Sequence, residues 1–175
     1  MQNIKLVKPT ATLKSEYIEF YRDWINSGEK MVPWVIKEDP EPFERMLQFL
    51  EDQESGEGLI GEQVKNSTFW LKNDSGKVVG AVNIRHELNG FLREQGGHIG
   101  YGIRPSERRK GYATELLKLA LKELAELGKK EALVCCDSEN MASFKTIKNN
   151  GGSLETDYVH PDGQIIKRFW VPCHF

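Results

Sequence analysis

Residues 98–121 read HIGYGIRPSERRKGYATELLKLAL, and the way this stretch divides decides the fold. Ile99, Tyr101 and Ile103 alternate with Gly100 and Gly102, the period-2 pattern of a strand whose backbone admits close approach by a ligand. Pro105 ends regular pairing. Arg108-Arg109-Lys110-Gly111-Tyr112-Ala113 then turns into a helix. There Leu116, Leu117, Ala120, Leu121, Leu124 and Leu127 make one wide apolar face, Lys118, Lys122, Glu123 and Glu126 are left for solvent, and Gly128 is the stop. A helix N-terminus carries unpaired N–H groups and a partial positive charge, so it accepts anions. From Arg104 to Lys110 four cations stand against Glu107 alone. The junction therefore reads as a pyrophosphate cradle, although it has neither the Gly-x4-Gly-Lys-Ser/Thr loop nor the Gly-x-Gly-x-x-Gly dinucleotide turn.

Upstream, Asn3 to Lys8 alternates as a first strand. Thr12 to about Asn26 is helical, with Leu13, Tyr17, Phe20, Tyr21, Trp24 and Ile25 near one face, and a second helix runs from about Pro40 to Glu54. Ser55 to Gly61 is a glycine-rich surface loop. Thr68 to Lys72 and Val78 to about Glu87 are strands joined by the turn Asn73-Asp74-Ser75-Gly76. Alternation puts Val78, Gly80, Val82, Ile84 and His86 on one face and Val79, Ala81, Asn83, Arg85 and Glu87 on the other. Downstream, Ala132 to Cys136 is a short apolar strand covered on both faces. A helix follows the cap-competent Asp137-Ser138-Glu139-Asn140 and ends at Asn150-Gly151-Gly152. Ser153 to Val171 closes the chain as a hairpin turning at Pro161-Asp162-Gly163. The order is β-α-α-β-β-β-α-β-α-β-β.

The 175 residues fit one domain, 1–175, with a substantial core. A net charge of −2 argues against a dedicated nucleic-acid binder. No apolar run resembles a signal peptide or a membrane span, so a cytoplasmic protein is expected. Cys135, Cys136 and Cys173 lack metal-ligand spacing and read as reduced thiols, and no metal is expected.

Arg108-x-x-Gly111-x-Ala113, after a strand ending in Ile103-x-Pro105 and opening a helix, resembles the acetyl-CoA signature of the GNAT superfamily of N-acetyltransferases. The element order resembles that family over most of the chain. The resemblance implies an α/β (α+β) fold, a mixed, mostly antiparallel twisted sheet flanked by about four helices. Its central parallel pair, His98–Ile103 and Ala132–Cys136, would splay to hold acetyl-CoA as co-substrate. It implies cofactor contacts from Ile103, Arg108, Arg109, Lys110, Gly111, Tyr112, Ala113 and Thr114, and from Asn140 and Ser143 on the later helix. On the residues alone, Asn140 is equally a helix cap and Ser143 equally bonds back to the preceding turn.

The implied reaction is direct attack of an amine on the thioester within a ternary complex. An alkylammonium titrates near about 10, so a base or water chain must take a proton. Backbone N–H groups near Tyr101 to Ile103 would receive the oxyanion. Where many members carry a Tyr seven residues after the helix Asn, this chain has Ile147, which leaves Tyr101 as the substitute acid. His98, Glu87, His86 and Asp137 are the candidate bases. Arg85, His86 and Arg168 would favour an acceptor bearing a carboxylate or phosphate. The expected partner is a small-molecule or peptide amine, with neither nucleic acid nor membrane, and Phe169-Trp170 offers a surface for a homodimer. The rival readings are a non-catalytic acyl-CoA-binding module and an interaction domain that uses the basic turn.

Overall fold

The computed structural model describes residues 3–173. In chain order the elements are β1 (Lys5–Val7), α1 (Lys14–Ser27), α2 (Phe43–Ser55), β2 (Asn66–Lys72), β3 (Val78–Arg85), β4 (Ile99–Ile103), α3 (Tyr112–Glu126), β5 (Glu131–Asp137), α4 (Met141–Asn149), β6 (Ser153–Leu154), β7 (Tyr158–Val159) and β8 (Ile165–Pro172). One antiparallel sheet runs β1-β2-β3-β4 and a second runs β5-β8-β6, with β7 also on β8. The mixed α/β architecture with four α-helices is the one expected.

Three details differ from the sequence reading. The first arm of the last hairpin is broken into β6 and β7, and between them Asp157 pairs with Lys167 at 2.8 Å. The connection from Leu88 to Gly97 holds a π-helical turn, Leu92–Gly96. A register shift opposite Leu71 and Lys72 inserts a bulge into β3. Such a bulge reverses which face each residue takes. Val79 consequently packs with the α3 layer, and Val78 joins the opposite core instead of sharing a face with Val82 and Ile84.

The first sheet is buried on both faces. Leu116, Leu117, Ala120 and Leu124 of α3 pack on Leu71, Val82 and Ile84. On the other side Tyr17, Phe20 and Trp24 of α1 meet Phe43 and Met46 of α2 over Trp70, and the Tyr17 ring stacks on Trp70 at 4.1 Å. Burial of each such side chain contributes about 1.5–3 kcal/mol.

Strands β4 and β5 run in the same sense but form no ladder. They are tied at one point. His98 N–H donates to the Leu133 carbonyl at 2.7 Å, and Leu133 N–H donates to His98 Nδ1 at 2.9 Å. Gly97 makes this approach possible, since its φ is +65° and a Cβ there would lie 2.5 Å from the Leu133 oxygen. Beyond the tie the strands part.

Burial, reinforced by Lys129, Arg85 and Arg93, pushes the His98 imidazole down to about 4. A histidine in the unfolded chain titrates near 6.5, so the unfolded state binds the extra proton between these values. The stability supplied by the neutral ring is complete above that range and is lost as pH falls through it. His98→Ala is expected to cost about 2–4 kcal/mol near pH 7 in urea unfolding. The gap between variant and wild type should narrow as pH falls from 6.5 toward 4; a pH-independent gap would show that the ring is not a buried neutral clasp.

Candidate active site

The parting of β4 from β5 leaves backbone groups without ladder partners. Arg85 N–H donates to the His98 carbonyl and Arg104 N–H to the Val79 carbonyl, at the two ends of the β3–β4 ladder. The alternation of an antiparallel pair then turns Gly100 and Gly102 toward β3, and Tyr101 and Ile103 toward the gap. On the other bank, Cys173 N–H bonds Lys130 and Ser138 N–H bonds Ile165, so Cys135 and Asp137 turn their N–H groups into the same gap. None of the four finds an acceptor among the described residues. The gap is therefore a slot lined with unused backbone donors.

At its open end lies the basic turn. Arg109 takes the left-handed conformation with φ +64°, and Gly111 follows with φ +82°. Two left-handed residues so close together bend successive N–H groups toward one point, the geometry of an anion nest. No side chain caps α3 at Gly111, and open space surrounds the position where its Cβ would be. The first-turn N–H groups of Tyr112, Ala113 and Thr114 are unpaired among the described residues. These groups fit the pyrophosphate of a coenzyme A thioester.

Three of the four nearby cations already have partners. Arg104 pairs with Asp23 at 3.4 Å, which also accepts the Ser106 N–H at 3.0 Å. Arg108 donates to the Ile103 carbonyl at 3.2 Å, meets Glu29 at 2.7 Å and lies over the Trp24 ring at 5.2 Å. Lys110 meets the buried Glu107 at 2.7 Å, with Lys77 on its other oxygen at 2.9 Å. The hydrogen bonds from Lys110 and Lys77 hold the Glu107 carboxyl below its usual range. Of these four, Arg109 alone makes no ion pair or hydrogen bond among the described residues, so its guanidinium is free to meet an anion.

The remaining sequence candidates fall into distinct places. Tyr101 faces the α3 and α4 layer, close to Ser143, Thr146 and Cys136. Its hydroxyl is buried beside the Ser143 and Thr146 side chains without a hydrogen bond of good geometry to either, and burial pushes the phenol up to about 12. Asn140 caps α4, accepting the Ser143 N–H at 3.1 Å. Asp137 ends β5 on the bank of the gap, holding the Glu139 N–H at 3.2 Å and the Gln164 amide. Glu87 lies exposed beyond the end of β3. His86 shares a hydrogen bond with Ser67 Oγ at 2.8 Å, and burial lowers its pKa. Arg168 is occupied, donating to the Arg93 carbonyl at 2.7 Å and the Thr156 carbonyl at 3.1 Å beside Glu155. Phe169 is fully buried against Phe144, so it offers nothing to a dimer partner.

The glycines of β4 serve the chain itself rather than an incoming ligand. A Cβ on Gly102 would lie 2.0 Å from the Val32 carbonyl, and one on Gly100 would meet the Arg85 guanidinium at 3.0 Å. Beside them the Trp34 Nε1 donates to Asn83 Oδ1 at 3.3 Å, and Asn83 continues into a buried chain with Asn66 and Gln53. The sequence offered no signal for this network, whose four members come from four separate segments of the chain. A cleft of about 250 Å³, lined by Trp34, Val35, Lys37, Glu38 and Phe49, adjoins it.

Residues 6–153 match a family profile described as an acetyltransferase (GNAT) domain. By class the protein is an acetyltransferase. The chain belongs to the GNAT family. Solved structures of similar fold include a microcin C7 self-immunity acetyltransferase in complex with acetyl-CoA and AMP. It is 17% identical, with a TM-score of 0.69, over 97% of this chain and 92% of that one. A ribosomal α-N-protein acetyltransferase in complex with coenzyme A is 13% identical, with a TM-score of 0.68, over 97% and 93% of the two chains. A dodecameric spermidine N-acetyltransferase from Vibrio cholerae is 16% identical, with a TM-score of 0.63, over 98% and 94%. No curated protein sequence gives a match. Among the described residues there is neither a group of side chains able to hold a metal ion nor a helix long and apolar enough to cross a membrane.

A buried hydroxyl without a partner costs stability until something bonds it. Tyr101→Phe is accordingly expected to raise the stability of the ligand-free protein by about 1 kcal/mol in urea unfolding. A loss of similar size would show that the hydroxyl is satisfied within the fold.

Proposed function

We propose that the protein transfers the acetyl group of acetyl-CoA to an amine by direct attack within a ternary complex. The observation that carries this reading is the slot between β4 and β5, with free backbone donors along its walls and an anion nest at its mouth. Acetyl-CoA supplies an activated thioester carbonyl. The chain's own residues bind, orient and move protons around it.

The Arg109–Gly111 turn, Arg109 itself and the first-turn N–H groups of α3 hold the pyrophosphate. The fixed N–H groups of Tyr101 and Ile103 along the slot donate to the charge that develops on the carbonyl oxygen, with no reorganisation needed at the moment of reaction. The Tyr101 phenol keeps its proton at neutral pH and donates a hydrogen bond to the departing sulfur, the task that Ile147 cannot perform. Asp137, at the wide end of the slot, accepts the proton of the attacking amine. His98, its Nδ1 already bonded to Leu133, holds the strands together. Asn140 and Ser143 at the start of α4 border the pantetheine path.

The test is thermal unfolding with acetyl-CoA, CoA, ATP or buffer. A ligand at a hundred times its dissociation constant adds about 2.7 kcal/mol of stability. Both CoA species should raise the melting temperature well beyond ATP, and Gly111→Glu should remove that shift, by forcing a carboxylate and a side chain into the nest. With a turned-over amine, Tyr101→Phe and Asp137→Asn should each lower kcat by about 100-fold. No shift with millimolar acetyl-CoA would contradict the reading.

A further inference from the structure

Arg85, on the face of the sheet opposite α3, makes no ion pair among the described residues. Its guanidinium lies over Gly100, and of its five N–H donors only one has an acceptor, Nη1 to the Gly96 carbonyl at 3.2 Å. The residue as a whole is partly buried. No carboxylate of the described residues lies within ion-pair distance of it. The neighbouring Cys135 supplies no negative charge, because burial pushes its thiol up to about 12. Burial also draws the Arg85 guanidinium down to about 10, as a charge held without compensation would be. The contrast with Arg168 is plain, since that guanidinium spends its donors on two carbonyls and Glu155. A partly buried guanidinium with one carbonyl and no counter-ion is stabilised when an anion meets it, and its planar fork fits a carboxylate through two parallel bonds.

The position is suited to an acceptor. Arg85 and Asn83 share a face of β3 two residues apart, about 7 Å along the strand. Asn83 holds Trp34 by its indole N–H. Trp34 forms one wall of the cleft with Val35 and Phe49, and its ring meets Phe49 edge-on at 5.9 Å. A charged anchor and the aromatic wall of a cleft that also holds Lys37 and Glu38 therefore share the face of the sheet opposite α3, linked through Asn83.

We propose that the acceptor is a free amino acid with an apolar side chain, its carboxylate held by Arg85 and its side chain lying against Trp34 and Phe49. This rests on the acetyltransferase reading and narrows it. A polyamine, which brings only positive charge, is excluded by the same guanidinium.

The experiment uses the full chain with saturating acetyl-CoA and follows thiol release. Leucine, methionine and phenylalanine are compared as free acids and as their amides, with spermidine alongside. The free acids should exceed their amides in kcat/KM on the order of 10- to 100-fold, with spermidine at background. Arg85→Gln should raise KM for the acids far more than for the amides and erase the discrimination, while Arg85→Lys restores part of it. If Arg85→Gln does not fold, the acid–amide comparison on wild type decides. Equal use of acids and amides, turnover of spermidine alone, or an equal loss on both substrates in Arg85→Gln would overturn the proposal. So would acetyl-CoA raising the melting temperature while no free acid is turned over. Absence of that melting shift would instead fail the acetyltransferase reading, and the acceptor assignment with it.

Discussion

Two neighbouring strands that run together and do not pair are the constraint on which the site depends. A sheet gains by bonding every backbone group, and a buried N–H left over costs about 1–3 kcal/mol. Here β4 and β5 forgo that ladder after the contact of His98 with Leu133. The opening persists because each strand is fully paired on its other edge, β4 with β3 and β5 with β8. The helices beneath are also tied, through Asn150 Nδ2 donating to the Thr114 carbonyl at 3.1 Å. The imidazole of His98 takes an N–H that would otherwise continue the ladder, and it does so in a neutral form secured by burial. A titratable ring is thus used for architecture.

Costly local states gather around this opening. Arg109 sits in the left-handed region, which costs a residue with a Cβ roughly 1–2 kcal/mol. The Tyr101 hydroxyl is buried without a partner, and the Arg85 guanidinium has a single carbonyl. Each lies on a different side of β4: the nest at its end, the phenol on the face toward α3 and α4, the guanidinium on the face toward Trp34. On the proposed reading, strand β4 separates a donor side from an acceptor side, and its backbone is the surface both substrates reach. Such states persist when the surrounding fold over-determines them, as the two buried cores on either face of the first sheet do here.

What the sequence disclosed was local. The turn from Arg108 to Ala113, the apolar face of α3 and the order of elements follow from spacing and from residue chemistry along a few turns of chain. The family profile agrees with that reading over residues 6–153. What it hid depends on residues far apart. Asp23 on α1 and Glu29 just beyond its end neutralise Arg104 and Arg108 from about eighty positions away, so a dense run of cations became a turn with one free guanidinium. Gly100 and Gly102 signalled close approach correctly, but Val32 and Arg85 of the chain itself make that approach. The bulge at Val79 leaves no mark in an apolar run where either face is buried. The Trp34–Asn83–Asn66–Gln53 chain joins elements that share no local pattern.

The most direct test of the central claim is amide hydrogen exchange with and without acetyl-CoA, resolved at residues 99–103, 109–114 and 133–137. If the parted strands are the binding slot, the ligand should slow exchange at Tyr101 and Ile103, at Gly111 through Thr114, and at Cys135 and Asp137, while β2 and β8 change little. Protection confined to the turn at 109–114 would mean that only the phosphates dock. Unchanged exchange at Tyr101, Ile103 and Cys135 under saturating ligand would contradict the account.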